Sequence, residues 1–236
     1  MKFCATLLMA LFLINTSAGF AVNVPQSNLS KQAILEAKPR LESRLKDKDL
    51  QLGQPVFIRI FKREKKLELW LQKDGRFELF HTWPIAKFSG RPGPKTKQGD
   101  RQAPEGFYFV PPNQLNPYSS YHLSFNLGYP NRYDRSYGRT GSALMVHGNR
   151  VSIGCYAMTD PVIEEIWTLM DAAYRQGQPF IRVHVFPFRM TQENMDKHGE
   201  GKWQSFWVNL KEGYDFFETK GIVPNVNVRN KRYVFD

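Results

Sequence analysis

The sequence predicts an α+β chain that is predominantly β: a β-sandwich-like domain with helices attached to it. Two observations carry this expectation. The first is Lys66-Leu67-Glu68-Leu69-Trp70-Leu71, which alternates polar and apolar residues and leads through Lys73-Asp74-Gly75-Arg76 into a second strand-like run, Arg76 to Ile85. Period-two alternation suits a half-buried strand, and Asp-Gly is a strong signal for a tight hairpin turn. The second is a count of segments. Val56–Phe61, Phe107–Val110, Ala143–Val146 and Phe180–Phe186 also read as strands, so strands outnumber helices. At 236 residues the chain is long enough for one substantial core.

Taken in order, the chain opens with Lys2 and an apolar run from Phe3 to Ile14, followed by the small residues Ala18, Gly19 and Ala21. The run is too short to span a bilayer. The pattern predicts a cleaved secretory signal peptide over residues 1–21, with an uncleaved anchor as the alternative. No transmembrane helix is expected in the mature chain. Residues 22–54 predict a flexible start, a short helix from Lys31 to Leu45 interrupted by Pro39, and a polar linker. Residues 55–190 hold the strands and form the main domain. Residues 191–236 add a helix over Gly201–Tyr214 and an extended segment over Val223–Val234, both packed on the domain.

Within the main domain, Lys87 to Glu105 is rich in Gly, Pro, Lys and Arg and reads as a loop. Its Arg91, Lys95 and Arg101 are candidate binders of carboxylates, against the alternative of solvated loop charge. Leu115 to Gly141 is aromatic and polar, suited either to a groove or to core packing. Asp160 to Gly177 carries the clearest helix pattern. Thr159 or Asp160 is placed to cap it, Pro161 suits its first turn, and Ile163, Ile166, Trp167, Met170 and Tyr174 form its apolar face. A helix starting there, with its N-terminus turned back on Cys155, would favour a thiolate.

Charge and cysteine usage narrow the function. The net charge is +11, and +10 without residues 1–21, which carry Lys2 as their one charged side chain. That excess suggests an anionic partner. Nucleic acid does not fit a secreted chain. Cys4 leaves with residues 1–21, so the mature chain keeps Cys155 alone and cannot form an internal disulfide. A lone thiol in an oxidising compartment is a liability unless it is used. His147-Gly148 lies just ahead of Ser152-Ile153-Gly154-Cys155. A strand delivers the imidazole, and Gly154 permits a tight turn that presents the sulfur. This arrangement suits a cysteine nucleophile with a histidine as proton acceptor and donor. Backbone N–H groups near Ser152, Gly154 and Cys155 are candidates for holding an oxyanion. No cluster has metal-ligand spacing, so neither metal nor cofactor is expected.

The pair His147-Gly148 followed by Ser152-Ile153-Gly154-Cys155 resembles the L,D-transpeptidase catalytic domain, or YkuD domain. Arg91 to Lys95, Gln98 to Asp100, Pro104 to Phe107, Gly128 to Arg135, Gly154 to Thr159 and Phe186 to Thr191 resemble its YafK-like branch in particular. That resemblance implies a YkuD-like sandwich, a periplasmic setting, and peptidoglycan with its covalently linked lipoprotein as partners. It makes Asn131, Tyr133, Asp134 and Tyr156 further candidates for substrate binding. It also implies a reaction: hydrolysis of the diaminopimelate–lysine amide between stem peptide and outer-membrane lipoprotein through a thioacyl-enzyme.

The sequence departs from the wider family at two positions. Most members carry a histidine two residues before the cysteine and an arginine two residues after it. Here Ile153 and Ala157 stand there. Loss of a bidentate guanidinium means that a stem carboxylate is held differently. Loss of the histidine leaves the group that orients His147 open, a backbone carbonyl and Ser152 being the candidates. The alternatives are an L,D-transpeptidase that makes crosslinks or attaches lipoprotein, and a non-catalytic cell-wall-binding module.

Overall fold

The computed structural model describes residues 22–236; the expected signal peptide, with Cys4, lies outside the described residues. Helix α1 (Asn28–Lys46) opens the fold. Ser27 caps it: its side chain accepts from the Ser30 N–H, and Ser30 reciprocates at the Ser27 N–H. Two expectations are corrected here. The helix runs unbroken through Pro39, which lies on the exposed side, where the carbonyl that its ring leaves unpaired meets water. The segment before it is not loose, because Val24 is buried and Ser27 Oγ donates to the Pro117 carbonyl at 2.9 Å. Ala33, Ala37, Leu41 and Leu45 recur at four-residue spacing and form the buried stripe.

Five strands make the first sheet: β1 (Val56–Phe61), β2 (Lys66–Lys73), β3 (Arg76–Pro84), β5 (Gly106–Val110) and β10 (Ile181–Phe186). Their spatial order is β3-β2-β1-β10-β5, with β1 and β10 parallel and the other neighbours antiparallel. Asp74 and Gly75 both take positive φ, 49° and 80°, as a two-residue hairpin turn of primed type requires. The second sheet has the order β4-β9-β8-β7-β6, built from β4 (Lys87–Phe88), β6 (Leu115–Asn116), β7 (Ser124–Asn126), β8 (Met145–His147) and β9 (Tyr156–Ala157). Both sheets feed one core with α1 and α3 (Asp160–Arg175), including Ile58, Val183, Phe125, Val146, Tyr156 and Trp167.

The first sheet is buried on both faces. Val56, Ile58 and Ile60 of β1 face the main core, while Phe57, Arg59 and Phe61 face α5 (Gln204–Lys220). This second layer also holds the short helices α2 (Arg132–Ser136) and α4 (Gln192–His198) and the hairpin of β11 (Val226–Arg229) and β12 (Arg232–Phe235). Phe107, Phe186, Tyr133, Trp207 and Tyr233 pack together there. Double coverage explains why Val56–Phe61 reads as an almost continuous apolar run rather than an alternating one. Arg59 is tolerated within it because Glu218 accepts at 2.6 Å and five aromatic rings surround its guanidinium.

Candidate active site

The site is made where β8 and β9 run side by side. Val146 pairs with Tyr156 and His147 with Ala157 in a parallel register, and Val146 and Tyr156 are both fully buried. Neighbours along a strand alternate faces, so Met145 and His147 project from the side opposite to Val146. Carried back one residue, the register sets Cys155 beside Met145 on that same side. The Met145 N–H confirms the juxtaposition by donating to Cys155 Sγ at 3.4 Å, and the thiol lies 3.5 Å from the Ala143 carbonyl. Cys155 and His147 are thus diagonal neighbours on one face. The turn leading into Cys155 needs φ of +113° at Gly154, open to glycine alone at little cost. Ser152 Oγ locks the turn by donating to the Cys155 carbonyl at 2.6 Å.

His147 is 2% exposed. Its Nδ1 lies 2.6 Å from the Gly148 carbonyl, which can only accept, so Nδ1 carries the proton and Nε2 keeps its lone pair. A backbone carbonyl therefore orients the imidazole, and Ser152 does not. The Tyr121 ring lies over it with centroids 4.8 Å apart. Gly148 is demanded by closeness rather than by φ. A Cβ there would stand 2.5 Å from Asp160 Oδ1 and 2.9 Å from the Tyr121 carbonyl.

Burial pushes the His147 pKa below its ordinary value, and the bond to Gly148 pulls it back in part. Burial pushes the Cys155 thiol above its ordinary 9.0, against the pull of the Met145 N–H and the Lys95 ammonium. Both shifts favour the neutral thiol and the neutral imidazole over the ion pair. The N-terminus of α3, expected to favour a thiolate, carries an acid of its own. Asp160 sits at that helix terminus, where its carboxylate offsets the positive end, and it accepts from the Asn149 N–H at 2.6 Å. Thr159 holds the cap position without a side-chain bond.

Residues 89–105 wall the site on one side. A Cβ at Gly154 would lie 3.7 Å from the Gln102 carbonyl. On the opposite, core face, Tyr156 Oη ties the loop to β9 by donating to the Pro104 carbonyl at 2.8 Å. The loop is fastened from beneath by a buried ion pair. Lys62 Nζ donates to the Gly93 and Ala103 carbonyls at 2.7 and 2.9 Å and lies 3.0 Å from Glu105 Oε1. Glu105 accepts in turn from the Gly93 N–H at 2.6 Å and from the Trp207 indole of α5 at 2.9 Å.

Residues 55–185 match the family model described as the YkuD L,D-transpeptidase catalytic domain. The chain belongs to the YkuD family. It is 48% identical over 183 residues to a protein of Escherichia coli (strain K12) named "Putative L,D-transpeptidase YafK", spanning 78% of this chain and 74% of that one. The protein of the same name in Escherichia coli O157:H7 matches equally. Among solved structures, the fold is similar to the helical cell shape determining protein Pgp2 from Campylobacter jejuni, at 17% identity and a TM-score of 0.46 over 82% of this chain and 86% of that one. A mutant form of Pgp2 gives 21% identity and a TM-score of 0.48, over 82% of this chain and 66% of that one, just under two thirds of its length. Bd1075 of Bdellovibrio bacteriovorus gives 21% and 0.41, over 70% of this chain and 58% of that one. Likeness of this degree says nothing of a substrate.

The YkuD positions that depart from the usual pattern have clear places. Ile153 is 79% exposed beside the cysteine turn, and Ala157 is fully buried opposite His147, so no guanidinium stands there. Of the candidate binding residues, Arg91 and Arg101 are exposed and have no ion-pair partner among the described residues. Lys95 does not fit the role of a free carboxylate binder. It is 4% exposed and its ammonium is held by Asp100 at 2.6 Å and by the Lys97 carbonyl at 2.9 Å. Asn131 and Tyr133 line a separate cavity of about 290 Å³ between β5, α2 and the β11–β12 hairpin, and both are also held in packing contacts. Asn131 caps α2 and donates to the Phe107 carbonyl and Tyr233 Oη, both at 2.9 Å, while Tyr133 is buried and stacks on Tyr233 at 4.4 Å. Tyr156 is fully buried on the core face, turned away from Cys155.

Sequence reasoning did not single out Tyr121 or Asp160 as site residues, and it missed the Lys62–Glu105 anchor. Tyr121 stood among many aromatics, and nothing local marks Lys62 as buried. Lys202 and Trp203, which flank the loop, lie in a helical pattern that gives no sign of this contact.

Proposed function

We propose that this YkuD protein is a cysteine amidase of the periplasm, delivered there by a signal peptide cleaved from residues 1–21. Its substrate is peptidoglycan bearing covalently attached lipoprotein, and it hydrolyses the diaminopimelate–lysine amide. The observation that carries this reading is the β8–β9 register, which puts Cys155 and His147 on one face with Nδ1 of His147 committed to Gly148. Nε2 is then free to take the thiol proton as sulfur attacks the carbonyl carbon. Backbone N–H groups of the Ser152–Cys155 turn hold the oxyanion. The C–N bond breaks, and the imidazolium returns its proton to the leaving lysine amine. Water, deprotonated by His147, attacks the thioester and restores the thiol. Residues 22–54 and 191–236 act as packed additions to the catalytic domain at 55–190.

A second reading is transpeptidation, in which an amine replaces water. The name of the 48% identical relative favours it. Absence of an arginine at Ala157 and of a histidine at Ile153 favours hydrolysis, because both departures change how a donor stem is held. Digestion of sacculi that carry bound lipoprotein separates them, with Cys155→Ala as control. Hydrolysis releases lipoprotein free of muropeptide. New diaminopimelate crosslinks or exchanged terminal residues, without release, would move the protein to the transpeptidase class.

A further inference from the structure

Beside the cysteine turn the loop opens into a groove of about 710 Å³. One wall is loop 89–102, and the other is Lys202 and Trp203, at the start of α5 and beyond the family match. Three cations line it: Arg91, Arg101 and Lys202, all exposed. None has a carboxylate partner among the described residues. The acid in the groove wall, Asp100, is turned inward. Its oxygens are spent on Lys95 at 2.6 Å and on the N–H groups of Thr96, Lys97 and Gln102 at 2.8, 3.1 and 3.0 Å. That carboxylate is held below its usual range; burial works against this, and the Lys95 and backbone bonds prevail. It stays charged, yet cannot turn to pair with the groove cations. Trp203 lies so close to Gly93 that a Cβ there would stand 2.7 Å from its indole nitrogen, and the Lys202 ammonium sits 4.8 Å over the indole ring. The aromatic wall and the ammonium are thus fixed together. Like charges gathered on one concave surface, with their local acid withdrawn, raise the local concentration of an anion.

We propose that this groove binds carboxylates of the peptidoglycan stem peptide, with Arg91, Arg101 and Lys202 as its charge contacts and Trp203 as its apolar wall. The groove takes over the task that an arginine two residues after the cysteine would perform. It reaches the cysteine turn at Gln102, whose carbonyl would lie 3.7 Å from a Cβ at Gly154, so a stem seated there runs towards Cys155. This assignment rests on the reading of the protein as one that acts on peptidoglycan.

The test measures binding and not turnover. Cys155→Ala protein is titrated by calorimetry with a disaccharide-tripeptide muropeptide carrying free carboxylates, and with the same muropeptide after carboxyl amidation. Exposed pairs are individually weak, each worth a few-fold, so the variant combines Arg91→Gln, Arg101→Gln and Lys202→Gln. It is expected to weaken binding by roughly tenfold or more, to flatten the salt dependence, and to leave the thermal midpoint unchanged. The amidated muropeptide should bind the parent protein as poorly as the free one binds the variant. Equal affinities across these pairs, or no binding by the parent protein, would overturn the assignment. So would a variant that loses affinity only for vesicles of anionic phospholipid. Groove-dependent binding with no release of lipoprotein from sacculi would leave the groove standing and sink the amidase reading. Release at the parent rate by the triple variant with Cys155 intact would do the reverse.

Discussion

Separating Lys62 from Glu105 should unfasten the loop that walls the site and lower stability by a large amount. Both side chains are fully buried. Lys62 has three ammonium protons and three acceptors: the Gly93 and Ala103 carbonyls and Glu105 Oε1. Burial pushes its pKa down, and Glu105 and then Asp100 pull it back. Lys62→Met leaves Glu105 as a buried carboxylate with only the Gly93 N–H and the Trp207 indole to satisfy it. Removing one partner of such a pair costs about 3–5 kcal/mol, a large share of the roughly 5–15 kcal/mol that holds an ordinary domain. Glu105→Gln should cost a similar amount, since it leaves the ammonium without its counter-charge. The double variant should fall within about 1–2 kcal/mol of either single one, because the second change removes the charge that the first left stranded. Urea denaturation at neutral pH reads all four proteins of the cycle, with an unchanged slope as the condition for comparison. Single losses below about 1 kcal/mol, or losses that simply add, would refute the reasoning.

Three further outcomes follow from the site. Cys155 alkylation by iodoacetamide should climb about tenfold per pH unit from neutrality to pH 9, because a thiol raised above 9.0 is under about 1% ionised at pH 7. A rate plateau between about pH 6 and pH 8 would mean instead a preformed thiolate–imidazolium pair. His147 must be neutral to act as base, and burial keeps it so below its ordinary 6.5, so the acid limb of turnover should lie under that value. Gly148→Ala forces a Cβ to 2.5 Å from Asp160 Oδ1 and against backbone at Tyr121. The expected result is a loss of about 1–3 kcal/mol in denaturation and a fall in kcat, through displacement of the carbonyl that orients His147. Unaltered kcat would show that the Gly148 contact does not position the ring.

Much of the fold was legible in the sequence where one residue type leaves one outcome. Asp74-Gly75 forced a hairpin, Gly154 forced the cysteine turn, and the apolar stripe from Ile163 to Tyr174 forced α3. The family pattern pointed to Cys155 and His147; His147 ends β8, and Cys155 lies in the turn that leads into the neighbouring β9. The rest depended on distant chain. Pro39 argued for a broken helix, and only the exposure of that side of α1 makes it tolerable. Asn131, Tyr133 and Tyr156 carry polar tips that suit a binding groove or a buried hydrogen bond equally. The C-terminal layer engages the first two in packing at the edge of a cavity, and the core face of β9 buries the third. Lys95 read as free loop charge because its partner, Asp100, acts only once the loop closes on itself. Lys202 and Trp203 join loop 89–102 across more than a hundred residues, a juxtaposition that no local pattern encodes.

Covalent catalysis at Cys155 is the claim on which the account turns. The direct measurement is rapid quenching in acid of the protein mixed with a muropeptide whose diaminopimelate is joined to a lysine-ended peptide, followed by mass spectrometry of the digested enzyme. The account predicts a transient adduct of the muropeptide acyl group on the peptide containing Cys155, absent from Cys155→Ala and formed more slowly in His147→Gln. Release of the lysine-ended peptide with no adduct on Cys155, or undiminished release by Cys155→Ala, would contradict it.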